Sequence, residues 1–134
     1  MLAVVSKLRS RLGDVPLVLG GKSSGARVGA RIARAAGAAG VVALGFPLIP
    51  PGHPDRSRGF ELDAGCPVLV LQGSRDSFGS PAAVLAAAAG LPVDVHEVAS
   101  GNHSFVARRA DARTTADCMA QVATTVTAWV RALG

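Results

Sequence analysis

Short apolar runs alternate along the chain with longer stretches in which apolar residues recur every three or four positions. Three of the runs, Pro16–Gly20, Val41–Leu44 and Pro67–Gln72, are continuous and bounded by turn-forming residues, the pattern of strands buried on both faces. Val93–Val98 instead alternates apolar and polar residues, as a half-buried strand does. Helical spacing predicts helices over Met1–Leu12, Ser24–Ala36, Pro81–Ala89 and Thr114–Leu133. Gly13, Gly37 and Gly90 stand where helices stop, and Pro81 stands in a first turn. Lys7, Arg9 and Arg11 suit a helix C-terminus, where cations meet the negative end of the helix dipole. In the second helix Val28, Ile32 and Ala35 form the expected inward stripe, with arginines outside it. In the last helix Val122, Val126, Trp129 and Val130 do the same. Residues 46–65 break this rhythm, because Pro47, Pro50, Pro51 and Pro54 remove backbone donors. A long loop inside a small domain is expected to serve a site or cover it.

Buried strands separated by helices predict an α/β fold, a parallel sheet of about four strands flanked by helices. With 134 residues the chain makes one domain, 1–134. Apolar residues at 49% and charged residues at 17% speak against intrinsic disorder. No apolar run is long enough to span a bilayer, and no leader pattern opens the chain, so no membrane partner is expected. Cys66 and Cys118 are too few for a disulfide scaffold and too distant for a zinc cluster, which suits a soluble, reducing, cytoplasmic setting.

The net charge of +5 comes from an arginine-rich composition, twelve of the fourteen basic residues being arginine. These residues are scattered, and at 4% aromatic content there is no base-stacking platform, so nucleic acid is not the expected partner.

Ligands of a parallel sheet bind beyond the carboxyl ends of its strands, so the residues just after each strand carry the information. Gly21-Lys22-Ser23-Ser24-Gly25 follows the first strand and runs into a helix, matching G-x-S-x-G. In that motif the serine sits on a strained strand-to-helix turn, and the helix aims free N–H groups at the site, which favours an oxyanion. A plain glycine-rich turn would read the same way. The tail of a phosphate-binding loop is the other rival, but that motif needs glycine at position 16, which is Pro16. Asp76 follows the third strand and His103 the fourth. Alone, Asp76 would be a turn aspartate bonding its own backbone, and His103 a loop histidine. Together the order Ser23, Asp76, His103, each just past a strand, is the triad order of hydrolases built on parallel sheets.

The other polar residues have simpler expectations. His53 belongs to the exposed proline loop and His96 to strand structure. Asp94 lies at the amino end of its strand, on the wrong edge to serve as the acid. Cys66 precedes its strand as a small core or edge residue, and Cys118 packs against the sheet. No cofactor and no metal ligand set is expected, since no His/Cys/carboxylate cluster has metal spacing.

With these residues in place the sequence is similar to the α/β-hydrolases. More narrowly it resembles the family of NSL-complex subunit 3 and the testis-expressed hydrolase-like proteins, near the dienelactone hydrolases. The resemblance is carried by Gly20–Arg27, Leu44–Gly52, Leu71–Gly79 and Gly101–Phe105. It implies nucleophile Ser23, acid Asp76 and base His103, with no cofactor. In that family several strands and an H-G-x-G-type oxyanion loop precede the nucleophile strand. Here only the residues up to Val15 do. The expectation is therefore the C-terminal portion of an α/β-hydrolase fold, whose first strand exposes an apolar edge that a protein partner or a dimer would cover. The backbone N–H of Ser24 is the one oxyanion donor in sight, and losing a donor costs about 10²–10³ in rate.

The expected function is serine hydrolysis of a small-molecule ester or other acyl compound, with Phe46, Leu48 and Ile49 as the apolar lining of the acyl pocket. The alternative is a non-catalytic interaction module, or an inactive fragment, built on the same fold.

Overall fold

The computed structural model describes all residues, 1–134. Helix α1 (Leu2–Leu12) leads to β1 (Val18–Lys22), α2 (Ser24–Ala36) and β2 (Gly40–Leu44). A long loop containing a 3₁₀ turn (Gly59–Leu62) reaches β3 (Val68–Gly73), followed by α3 (Pro81–Ala87), β4 (Val93–Val98) and α4 (Thr115–Ala132). The strands pair in chain order, β1-β2-β3-β4, and every pair is parallel. Val18 stands opposite Gly40, Val41 opposite Val68, and Val68 opposite Val93, so all four carboxyl ends open on the same side. The expected α/β fold of about four strands is the observed one.

Two apolar layers sandwich this sheet. Val41, Ala43, Val68 and Val70 pack against α2, α3 and the 3₁₀ turn, whereas Val42, Leu69 and Leu71 pack against Cys118 and Val122 of α4. β3 is buried along its whole length, as a central strand covered on both faces must be. β1 runs from Val18 to Lys22, two residues later at each end than the apolar run suggested. It pairs only with β2, and Val18, Leu19, Gly20 and Gly21 bring no charge to its open edge. The other edge strand, β4, exposes Asp94, His96 and Glu97, which blunts it against further pairing.

The inward face of α2 differs from the expected one. The buried residues are Ala26, Gly29, Ala30 and Ala33, while Val28 and Ile32 lie half-buried on the flank and Ala35 is exposed. Small side chains bring this helix close to the sheet, with Leu19 and Val41 against Gly29. Close approach selects volume, and an apolar count along the helix does not show that. On α4 the apolar side holds except at its end, where Val130 is exposed. That helix is capped by Thr114 and Asp117, each side chain accepting from the other's backbone N–H at 3.1 and 2.8 Å. Its C-terminal half is pinned by Trp129 Nε1, which donates to Asp94 at 2.9 Å.

The proline loop is held by a buried ion pair. Arg27 of α2 donates twice to Glu61 in the 3₁₀ turn, at 2.7 and 2.8 Å, and the Glu61 carboxylate is almost wholly buried. The hydrogen bonds from Arg27 hold the Glu61 carboxyl below its ordinary range, with Arg31 and Arg58 adding to the effect. A depressed folded value stabilises the protein above the unfolded value and is lost as pH falls through the folded one. Glu61→Gln should therefore cost about 1–3 kcal/mol at neutral pH. The difference should shrink as pH falls below the ordinary glutamate range. Denaturant melts of both proteins across that range check it; a constant difference would count against the pair.

Candidate active site

The carboxyl ends of the strands assemble one polar constellation. β1 ends at Lys22, and Ser23 then adopts φ 52° and ψ −115° before α2 begins. That backbone is costly for a residue with a side chain, and its neighbours hold it in place. Ser23 N–H donates to Leu44 O at 3.0 Å, extending the β1–β2 ladder by one rung. The N–H groups of Ala26 and Arg27 close on Ser23 O at 3.0 and 3.3 Å. The flanking glycines are not equivalent. A Cβ on Gly21 would collide with the backbone of Gly25 and Ala26, whereas one on Gly25 would meet nothing. Glycine is thus sterically required before the serine and not after it.

The acid turn follows β3. Asp76 N–H donates to Gly73 O at 3.1 Å, and the side chain of Asp76 is fully buried. Its Oδ1 accepts from Phe78 N–H at 2.8 Å, and its Oδ2 lies 2.7 Å from His103 Nδ1. One oxygen of Asp76 thus closes a local turn while the other reaches His103 across the chain.

The loop after β4 carries His103 and is held from below. Asn102 Oδ1 accepts from the N–H groups of Ser104 and Val106 at 2.8 and 3.0 Å. Arg75 donates to Ser100 O at 3.1 Å and to Val106 O at 2.8 Å. Close packing of glycines brings this loop in. A Cβ on Gly73 would collide with the carbonyls of Gly101 and Asn102. One on Gly45, whose φ is +67°, would lie 2.9 Å from His103 O and 3.3 Å from its Nδ1. The ring of Phe78 packs 4.5 Å from the imidazole.

His103 Nε2 lies 2.9 Å from Ser23 Oγ, completing a line from hydroxyl to imidazole to carboxylate. A carboxylate only accepts, so the proton sits on Nδ1 and Nε2 is left to accept from the serine. Ser24 is exposed and opens α2, and its N–H has no acceptor within the protein. Lys22 reaches from the strand end to Ser104, donating at 2.9 Å.

The expected pocket lining is not assembled. Phe46 and Leu48 are buried in the core with Leu62, Val70 and Val84, and only Ile49 reaches the surface. The cause is Gln72, which hydrogen-bonds the backbone of Phe46 through both amide atoms and so turns this stretch inward. The three surface clefts lie along α4 and between α1 and α2, away from Ser23. His53 is exposed in the loop, and His96 is exposed on β4 beside Trp129. Asp94 is engaged by Trp129 at the opposite edge. Cys118 is buried, and Cys66 is half-buried with its thiol pushed up by burial. No three His, Cys, Asp or Glu side chains gather as a metal site would require. No helix is long and apolar enough to cross a membrane. Gln72, Arg75, Asn102 and Phe78 were not anticipated. The one visible signal was a polar Gln72 closing an otherwise apolar run.

The fold recurs in solved structures. An alpha-beta serine hydrolase homologue from Coxiella burnetii superposes with a TM-score of 0.69 at 19% identity, over 93% of this chain and 54% of that one. An a/b serine hydrolase without lid from Xanthomonas campestris gives 0.65 at 22% identity, over 95% and 54%. The esterase domain of a Rhodothermus marinus protein gives 0.68 at 17% identity, over 99% and 68%. The chain thus spans about half the length of the first two. No curated protein matches its sequence. The model of the alpha/beta hydrolase domain family matches residues 1–131. With that match over almost the whole chain, and a parallel four-stranded sheet flanked by helices, the protein belongs to the alpha/beta hydrolase domain family.

Proposed function

We propose that this chain carries the catalytic triad of a serine hydrolase acting on an ester or other acyl compound. The observation that carries the reading is the unbroken line from Ser23 Oγ through His103 to Asp76, with links of 2.9 and 2.7 Å. The neighbours described as a serine hydrolase homologue and an esterase domain agree with it. The Gly-Phe-Pro-Leu and Gln-Gly-Ser-Arg-Asp segments support a place near the NSL-complex subunit 3 and dienelactone hydrolase families.

In the proposed reaction Ser23 Oγ attacks the acyl carbon while His103 Nε2 takes the hydroxyl proton. The carbonyl π pair moves onto oxygen, and the N–H of Ser24 faces that oxyanion. The intermediate collapses, the bond to the leaving group breaks, and His103 returns the proton to that group. Water then attacks the acyl-enzyme, again losing its proton to His103, and Ser23 leaves as the hydroxyl. Asp76 stays ionised and holds the imidazole in the required tautomer. Of the three apolar residues expected to line the pocket, Ile49 is the one outside the buried core and would meet the acyl chain.

Fluorophosphonate labelling of the purified chain, read by intact mass, tests the proposal. One adduct is expected, absent in Ser23→Ala and His103→Ala. A folded chain that takes no adduct would instead support the non-catalytic module, the reading favoured by a single visible oxyanion donor.

A further inference from the structure

Beyond the three reacting side chains, one polar group is placed with unusual economy. Gln72 lies at the end of β3 with no exposed surface. Its Oε1 accepts from Phe46 N–H at 2.9 Å. Its Nε2 donates to Phe46 O at 3.0 Å and to Gly79 O at 2.9 Å. The amide orientation is unambiguous, because only the oxygen can meet an N–H and only the nitrogen can meet two carbonyls.

These bonds do two things. At Gly45 the chain leaves β2 with φ +67°, and Phe46 no longer pairs with a strand. The Gln72 amide replaces the missing peptide rung and holds Phe46 against β3. The second proton of the same amide holds Gly79, the far end of the turn that begins at Gly73 and presents Asp76. Ile49 N–H donates to Phe78 O at 2.8 Å, so the start of the proline loop and the acid turn share a second tie. Asp76 is thus held at one end by β3 and at the other by Gln72.

We propose that Gln72 is a positioning residue that sets the Asp76 carboxylate against His103 by clamping the acid turn to the start of the proline loop. The inference rests on the triad reading of Ser23, His103 and Asp76. Gln72→Met keeps the length and loses every hydrogen bond, leaving Phe46 N–H and Gly79 O unmet, while Phe46 O keeps its bond from Leu48 N–H at 2.9 Å. Gln72→Glu keeps the shape and the bond from Phe46 N–H, but sets one oxygen, in the place of Nε2, against the carbonyls of Phe46 and Gly79.

Two readouts test it, compared with Val122→Ala, a cavity variant under α4 on the far side of the sheet. The first is the rate of fluorophosphonate labelling well below each melting temperature. The second is the far-downfield proton resonance of the His103 Nδ1–H···Asp76 bond, which Asp76→Asn should abolish. Gln72→Met should label on the order of 10- to 100-fold more slowly, the cost of a displaced catalytic group. Its resonance should move or broaden. Val122→Ala, at comparable loss of melting temperature, should keep the wild-type rate and resonance. Labelling and resonance in Gln72→Met that match those of Val122→Ala would overturn the proposal. If Gln72→Met does not fold, Gln72→Glu decides, with a labelling rate below that of the wild type expected and an unchanged rate overturning it. If the wild type takes no label, the triad reading fails by itself, and the resonance still reports whether Gln72 places Asp76.

Discussion

Asp76→Asn should slow acylation of Ser23 by about 10⁴ while the chain stays folded. The reason lies in which oxygen faces which neighbour. Asp76 Oδ1 accepts from Phe78 N–H at 2.8 Å, so the asparagine must turn its carbonyl oxygen there. Its NH₂ then faces His103 Nδ1, where a carboxylate oxygen stood at 2.7 Å. An NH₂ can only donate, so Nδ1 must become the acceptor and the ring proton moves to Nε2. That proton points at Ser23 Oγ, and the serine has lost its base. The fluorophosphonate time course measures the effect, with far-UV circular dichroism confirming the fold. A rate within tenfold of the wild type would remove Asp76 from the proposed mechanism.

Gly45→Ala should damage both stability and reactivity. Gly45 has φ +67°, a conformation that costs a residue with a Cβ about 1–3 kcal/mol. The new methyl would also stand 2.9 Å from His103 O and 3.3 Å from Nδ1, close enough that the base must move. A shift of the base approaching 1 Å lowers the labelling rate on the order of 10²-fold. Gly52→Ala separates the two causes. Gly52 has φ +79° with open space around it, so that variant carries the backbone strain alone and should label as the wild type does. Equal labelling by the two variants would mean that Gly45 does not place His103.

Much of this architecture is written locally. Strand runs such as Pro67–Gln72 and the helix stops at Gly13 and Gly37 are decided by side-chain period and by backbone freedom, which act over a few residues. The order Ser23, Asp76, His103 is equally local, since each residue follows a strand and all parallel strands end on one side. That side-sharing is why three residues separated by as many as 80 positions could be grouped from the sequence.

Other features depend on distances that no local pattern encodes. The stripe of Val28, Ile32 and Ala35 has the right period for an inward face, yet Ala26, Gly29, Ala30 and Ala33 occupy it because the helix sits close to the sheet. Phe46 and Leu48 follow a strand and look like pocket residues, but Gln72 turns their backbone and the core takes their side chains. Gly21 and Gly25 look alike in the motif, and only packing of α2 on β1 shows that one is obligatory.

The sequence by itself determined the α/β alternation, the parallel sheet and the three residues expected to react, because period, turn chemistry and strand ends are properties of neighbouring residues. Only the tertiary structure decided that Asp76 serves its own turn and His103 at once, that Arg27 locks the proline loop through Glu61, and that Gln72 joins that loop to the acid turn. Each of those is a hydrogen bond whose strength depends on direction and burial, and both arise only when segments remote in the chain are packed together.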